Sequence, residues 1–74
     1  RSYTMSPTII NYEGKIKSGS VVIKSYDSSG NLLQESQVIK EKNAEGSFNT
    51  GYGGEKVKVT VEFTDFKGEF KMYR

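Results

Sequence analysis

The 74-residue sequence contains no histidine, no cysteine and no tryptophan, and only one proline. Without histidine the commonest general base and the commonest metal ligand are missing. Neither a Ser-His-Asp or Cys-His arrangement nor a histidine-bound zinc, copper or non-haem iron centre can therefore be assembled. Without cysteine, thiol nucleophiles, cysteine zinc sites and disulfide staples all disappear together. Chemistry is left to carboxylate, lysine, tyrosine and serine side chains. Long apolar runs are missing too. The longest, such as Val21-Val22-Ile23, fall far short of the roughly 20 residues that a membrane-spanning helix needs. Charge of one sign is also lacking: 11 Lys and Arg against 9 Asp and Glu leave a net charge of +2, with the two signs interspersed along the chain. That is an ordinary solvated surface and not the concentrated basic patch of a dedicated nucleic-acid binder.

What is present is a single domain's worth of chain, residues 1–74, reading as one small β domain with no repeat, linker or low-complexity tract. The clearest pattern lies in residues 56–64, where Val57, Val59, Val61 and Phe63 alternate with Lys58, Thr60 and Glu62. This period of two predicts a strand with one face in the core and one in water. Asp65-Phe66-Lys67-Gly68 then predicts a turn, and residues 69–73 predict a returning strand with Phe70 and Met72 on one face, so that Phe63 and Phe70 meet across a hairpin. A second hairpin is expected upstream, from residues 20–26 through the turn-rich residues 27–31 to residues 32–39. Its second arm also carries a helix-start signal, with Leu32, Leu33, Ser36 and Ile39 able to share a helical face. Residues 8–16 read as a further strand with Ile10, Tyr12 and Ile16 inward, Gly14 marking a bulge or bend, and Pro7 at the entrance. Residues 40–46 read as a polar loop, and residues 47–50 as a short strand carrying Phe48. About six strands and no firm helix predict an all-β fold, a small antiparallel β-sandwich of immunoglobulin-like or transthyretin-like type. A five-stranded barrel resembling an oligonucleotide-binding fold is the alternative.

Candidate functional residues fall in loops and on outward faces. Gly51, Tyr52, Gly53 and Gly54 form a loop whose glycines give the backbone access to left-handed conformations and present Tyr52 at its tip. No Gly-Lys-Ser/Thr follows, so it is not a phosphate-binding loop, and a wide turn feeding the next strand explains the same residues. The Gly-x-Gly-Gly string resembles a contact loop of chagasin-like cysteine-peptidase inhibitors, also β-sandwiches. The likeness covers four residues; Ser6-Pro7-Thr8 stands where that family has Asn-Pro-Thr, and its Arg-Pro-Trp element has no counterpart here. The resemblance implies a peptidase inhibitor with Gly51–Gly54 and Pro7 at one end of the molecule.

Asp27, Ser29 and Asn31 alternate oxygen-bearing side chains as a calcium loop would, yet the twelfth position is Val38 where a carboxylate is required. A loop bonding to its own backbone accounts for them. No carboxylates form a distinctive pair; Glu35 alone stands out, sharing a predicted strand face with Leu33 and Ile39. Tyr3, Tyr26, Tyr52, Phe66 and Tyr73 are not needed by the predicted core, and among them Tyr26, Phe66 and Tyr73 join the glycine loop as candidate contact residues.

These observations point to a non-enzymatic interaction module without cofactor or metal, contacting a protein or glycan through loop tips and exposed tyrosines. An exported or cell-surface setting is slightly favoured over the cytoplasm. The edge strand at residues 69–74 offers a route to a homo-oligomer. Single-stranded nucleic acid is the less favoured partner, and it would need Lys56, Lys58, Lys71 and Arg74 to line one face with Tyr73.

Overall fold

The computed structural model describes residues 2–52 and 54–74. It is all-β, with no helix among the described residues. Five antiparallel strands, β1 (Ser2–Met5), β2 (Ile9–Tyr26), β3 (Leu32–Glu35), β4 (Asn43–Asn49) and β5 (Val57–Tyr73), form one sheet. The order is β1-β5-β2-β3, and β4 pairs with β2. β2 and β5 are paired along almost their whole lengths, from Asn11 opposite Tyr73 to Tyr26 opposite Lys58. The other edge of β2 carries β4 beside residues 9–15 and β3 beside residues 24–26.

The expected number of strands changes because two predicted breaks are bends. Asp65-Phe66-Lys67-Gly68 does not reverse the chain; β5 runs through it. Likewise the predicted strands at 8–16 and 20–26 are the two halves of β2. The β2–β5 register shifts twice, between Ile16 and Ser18 and between Ser18 and Ser20, and positive φ falls at Gly19 (80°), Asp65 (48°) and Gly68 (137°). A bulge needs the same left-handed residues as a tight turn, so Asp-x-x-Gly signals either one. Gly14 is not the bend. It makes room for the neighbouring strand, since a Cβ there would lie 2.9 Å from Phe70 Cδ1.

No helix forms at residues 32–39. After β3 the chain stays on the edge of β2 through Ser36 N–H to Ile23 O (2.8 Å) and a reciprocal pair of bonds between Val21 and Ile39. The predicted polar loop at 40–46 is strand from Asn43 onward, with Ala44 buried, and the short Phe48 strand is its continuation.

The bend folds the sheet onto itself. Eighteen extended residues would span about 60 Å at roughly 3.3 Å each. Yet the longest dimension is 36 Å, and Thr50 reaches both ends of β2. Its N–H donates to Thr8 O at 3.0 Å, and its carbonyl accepts from Ser25 Oγ at 2.6 Å. One layer contains β4 with residues 9–16 of β2 and 68–73 of β5. The facing layer contains β3 with residues 20–26 of β2, residues 57–64 of β5, and β1. The inward set changes parity at the bend, from Ile10 and Ile16 to Val21 and Ile23 in β2, and from Val57, Val59 and Val61 to Phe66, Phe70 and Met72 in β5. Ile39, Ala44 and Phe48 complete the core. The two layers of the expected sandwich are thus present as two halves of a single sheet.

Candidate functional site

The layers differ in width. The layer with β1 is four strands across, whereas the other ends at residues 68–73 of β5, with no strand beyond it among the described residues. Because β1 continues the wider layer past that edge, the narrower one leaves a strand-sized gap beneath it. The gap is an apolar groove of about 760 Å³, walled by Tyr3 and Met5 from β1 and by Phe63, Phe66, Phe70 and Met72 from β5. Its aromatic rings are packed together: Phe63 lies 5.0 Å from Phe66 and 6.3 Å edge-on from Phe70, which stacks on Tyr12 at 5.7 Å. Phe63 and Tyr73 keep 45% and 47% of their surface exposed.

The direction of the free backbone groups follows from the ladder. Ile16 N–H bonds to Lys42 O, on the β4 side. Alternate residues of a strand point their backbone groups the same way, so the odd residues of β2 in this layer face β5. Glu13 with Lys71 and Lys15 with Glu69 are then the bonded pairs. Phe70 and Met72 consequently direct N–H and C=O away from β2, into the unpaired edge, whereas Gly68 (φ 137°) belongs to the bend and aims its Cβ position at Lys15 of β2.

On the outer face of this edge stand Lys67, Glu69, Lys71 and Tyr73. Lys71 Nζ lies 2.8 Å from Glu13 Oε1 and 6.0 Å from the Tyr73 ring centroid. Its hydrogen bond to Glu13, with the accompanying charge attraction, raises the ammonium above its ordinary 10.5. On the other layer Glu62 acts in the same way on Lys24, at 3.3 Å.

Of the residues singled out by sequence, Phe66 lines the groove and Tyr73, from the outer face, borders its rim. Tyr26 does not; it closes the far end of β2, opposite Lys58 and Leu32. The glycine loop lies elsewhere too. Gly51 (φ 79°) sits beside Leu33 and Gln34 on the β3 edge, Tyr52 is 83% exposed, and Gly54 (φ 101°) borders open space. Gly53 lies outside the described residues. Proximity of this loop to the Pro7 segment is met through the paired contacts of Thr8 and Thr50. The basic residues of the nucleic-acid reading divide between layers, Lys58 on the outer face of one and Lys71 on that of the other. Asp27 accepts the N–H groups of Ser29 (2.9 Å) and Asn31 (2.8 Å), an Asx turn within the β2–β3 connection. No group of three or more Asp or Glu able to hold a metal occurs among the described residues. Glu35 is exposed, so its predicted place beside Leu33 and Ile39 does not bury it.

Sequence reasoning assigned Phe63, Phe70 and Met72 to the core and did not connect Met5 with them. The signal that could have found the groove is the switch of apolar residues from odd to even positions across Asp65–Gly68, which marks a strand that bends while keeping its apolar face inward. Comparison with protein-family models, curated proteins and solved structures finds no match to this chain.

Proposed function

We propose that this chain is a non-enzymatic binding module whose partner is a protein, and that it takes an extended segment of that partner as an added strand along residues 68–73 of β5. The observation that carries this reading is the narrower layer with β1 overhanging its free edge. Strand addition uses two resources that the site supplies side by side. Outward N–H and C=O groups of Phe70 and Met72 provide affinity, and an adjacent apolar groove selects alternate side chains. A fitting segment has apolar residues at every second position, directed at Phe70, Met72 and Met5, and charged residues between them to face Lys67, Glu69 and Lys71. In this reading the contact surface is the β5 edge, in place of the loop tips that the sequence suggests.

The test is titration of the 15N-labelled protein with a synthetic peptide of alternating Glu-Val-Lys-Val repeats. The amides of Phe70 and Met72 should shift and become protected from exchange, and Met72→Arg should abolish both effects. Shifts confined to Gly51, Tyr52 and Gly54 would reject the groove.

A second reading, inhibition of a papain-like cysteine peptidase, is favoured by the Thr8–Thr50 contact alone. It requires inhibition that Tyr52→Ala weakens, and an inert protein in that assay would discard it.

A further inference from the structure

Phe70 and Met72 offer an incoming strand only two ladder positions, so its direction and register are left to the side chains that flank them. We propose that Lys71 and Glu69, on the outer face, read the charge order of the partner. The groove takes a segment that runs antiparallel to β5 in the order apolar, acidic, apolar, basic from its N-terminal end. The apolar residues stand opposite Met72 and Phe70, the acidic one opposite Lys71 and the basic one opposite Glu69. This deepens the strand-accepting reading and rests on it.

Antiparallel addition matches each outward residue to one partner residue, with which it exchanges both N–H and C=O, and such pairing is the more stable per residue. β1 already runs in that sense along the same edge of β5, from Ser2 opposite Thr60 to Met5 opposite Val57. Glu69 and Lys71 spend their backbone groups on β2. Toward the incoming strand they therefore occupy the non-hydrogen-bonded sites, where facing side chains approach most closely. Both side chains have room for a second partner. Lys71 is 69% exposed while its ammonium holds Glu13 at 2.8 Å, and Glu69 is exposed beside Lys15. Across the joined sheet the signs then alternate, with Glu13, Lys71 and the partner's acid in one row and Lys15, Glu69 and the partner's base in the next.

Other placements lose this match. Turned parallel to β5, the segment sets its acid against Glu69 and its base against Lys71. Slipped by two residues, it sets either its base against Lys71 or its acid against Glu69. Slipped by one, it turns its apolar side chains to water. The bend closes the far end, because Gly68 aims its Cβ position at Lys15 and continues no regular ladder. The basic residue is therefore the last that the edge aligns.

Two isomeric peptides test the order, acetyl-Ser-Val-Glu-Val-Lys-Ser-amide and acetyl-Ser-Val-Lys-Val-Glu-Ser-amide. Each is titrated into the 15N-labelled protein at about 10 mM salt, where charges are screened over roughly 30 Å. The glutamate-first peptide should shift the Phe70 and Met72 amides with a Kd about fivefold below that of its isomer. At about 1 M salt, with a screening length of roughly 3 Å, the two should converge. Glu69→Gln combined with Lys71→Gln should equalise the isomers at low salt while the Phe70 and Met72 shifts persist. A nitroxide on the first residue of the glutamate-first peptide should broaden Met72, Tyr73 and Arg74, and one on its last residue should broaden residues 66–68.

Equal affinities at low salt, tighter binding of the lysine-first isomer, or the opposite broadening pattern each overturn the charge order. Strand acceptance survives that result if the Glu-Val-Lys-Val repeat still protects Phe70 and Met72. If no peptide shifts these amides, the strand-accepting reading falls as well.

Discussion

Among the described residues Ser25 and Thr50 are the buried polar ones of the core, and they form one fastening. Ser25 Oγ donates to Thr50 O at 2.6 Å, while Thr50 N–H and Oγ1 both engage Thr8, so residues far apart in the chain are locked together where the doubled sheet meets itself. Ser25→Ala leaves a buried carbonyl without its donor, which costs about 1–3 kcal/mol. Urea denaturation should show this loss with an unchanged dependence on denaturant. Asp27 governs a different residue-scale property. The Asn31 backbone N–H, then the Asn31 side-chain amide, hold its carboxyl below the ordinary 3.8, with Ser29 and Gly30 adding smaller effects. The folded state therefore favours the charged form. Its contribution is fully present above pH 3.8 and is lost as pH falls through the lower folded value. Asp27→Asn should flatten that acid limb when the urea midpoint is followed between about pH 2 and 5, and an unaltered limb would mean that other carboxylates produce it.

At the scale of elements, the bend in β2 and β5 determines everything downstream. Gly68 has φ 137°, and a Cβ there would lie 2.0 Å from Lys15 O, so no side chain fits without opening the β2–β5 ladder. Gly68→Ala should destabilise the fold by about 2–3 kcal/mol, the sum of backbone strain and displacement. Hydrogen exchange should place the faster-opening amides in residues 64–70. A uniform loss of protection would show instead that the bend is not a local feature. Much of each element is legible in sequence. The Val57–Val59–Val61 alternation reads directly as a half-buried strand, and Ile10 and Ile16 point inward as expected. The Phe63–Phe70 contact is also as expected, though it arises within one bent strand and not across a hairpin. The bend itself is not legible, because Asp65, Gly68 and Gly19 would supply a turn or a bulge equally well. The choice depends on a partner strand that runs uninterrupted past both.

For the whole molecule, doubling one sheet covers ten buried apolar residues without a second sheet or a helix among the described residues, and the sequence has no cysteine for a disulfide. The consequence is a mismatch in width: β1 has no counterpart in the facing layer, and the apolar face of β5 runs out beneath it. The sequence by itself determined the all-β class, the strands' inward faces and the exclusion of histidine and thiol chemistry, because side-chain alternation and composition are local properties of the chain. Only the tertiary structure decided that Phe63, Phe66, Phe70 and Met72 form a groove wall, and that Phe70 and Met72 turn their backbone groups toward an edge without a neighbouring strand. An alternating strand specifies which of its faces avoids water, whereas what lies against that face and along that edge depends on how residues 8, 25 and 50 come together.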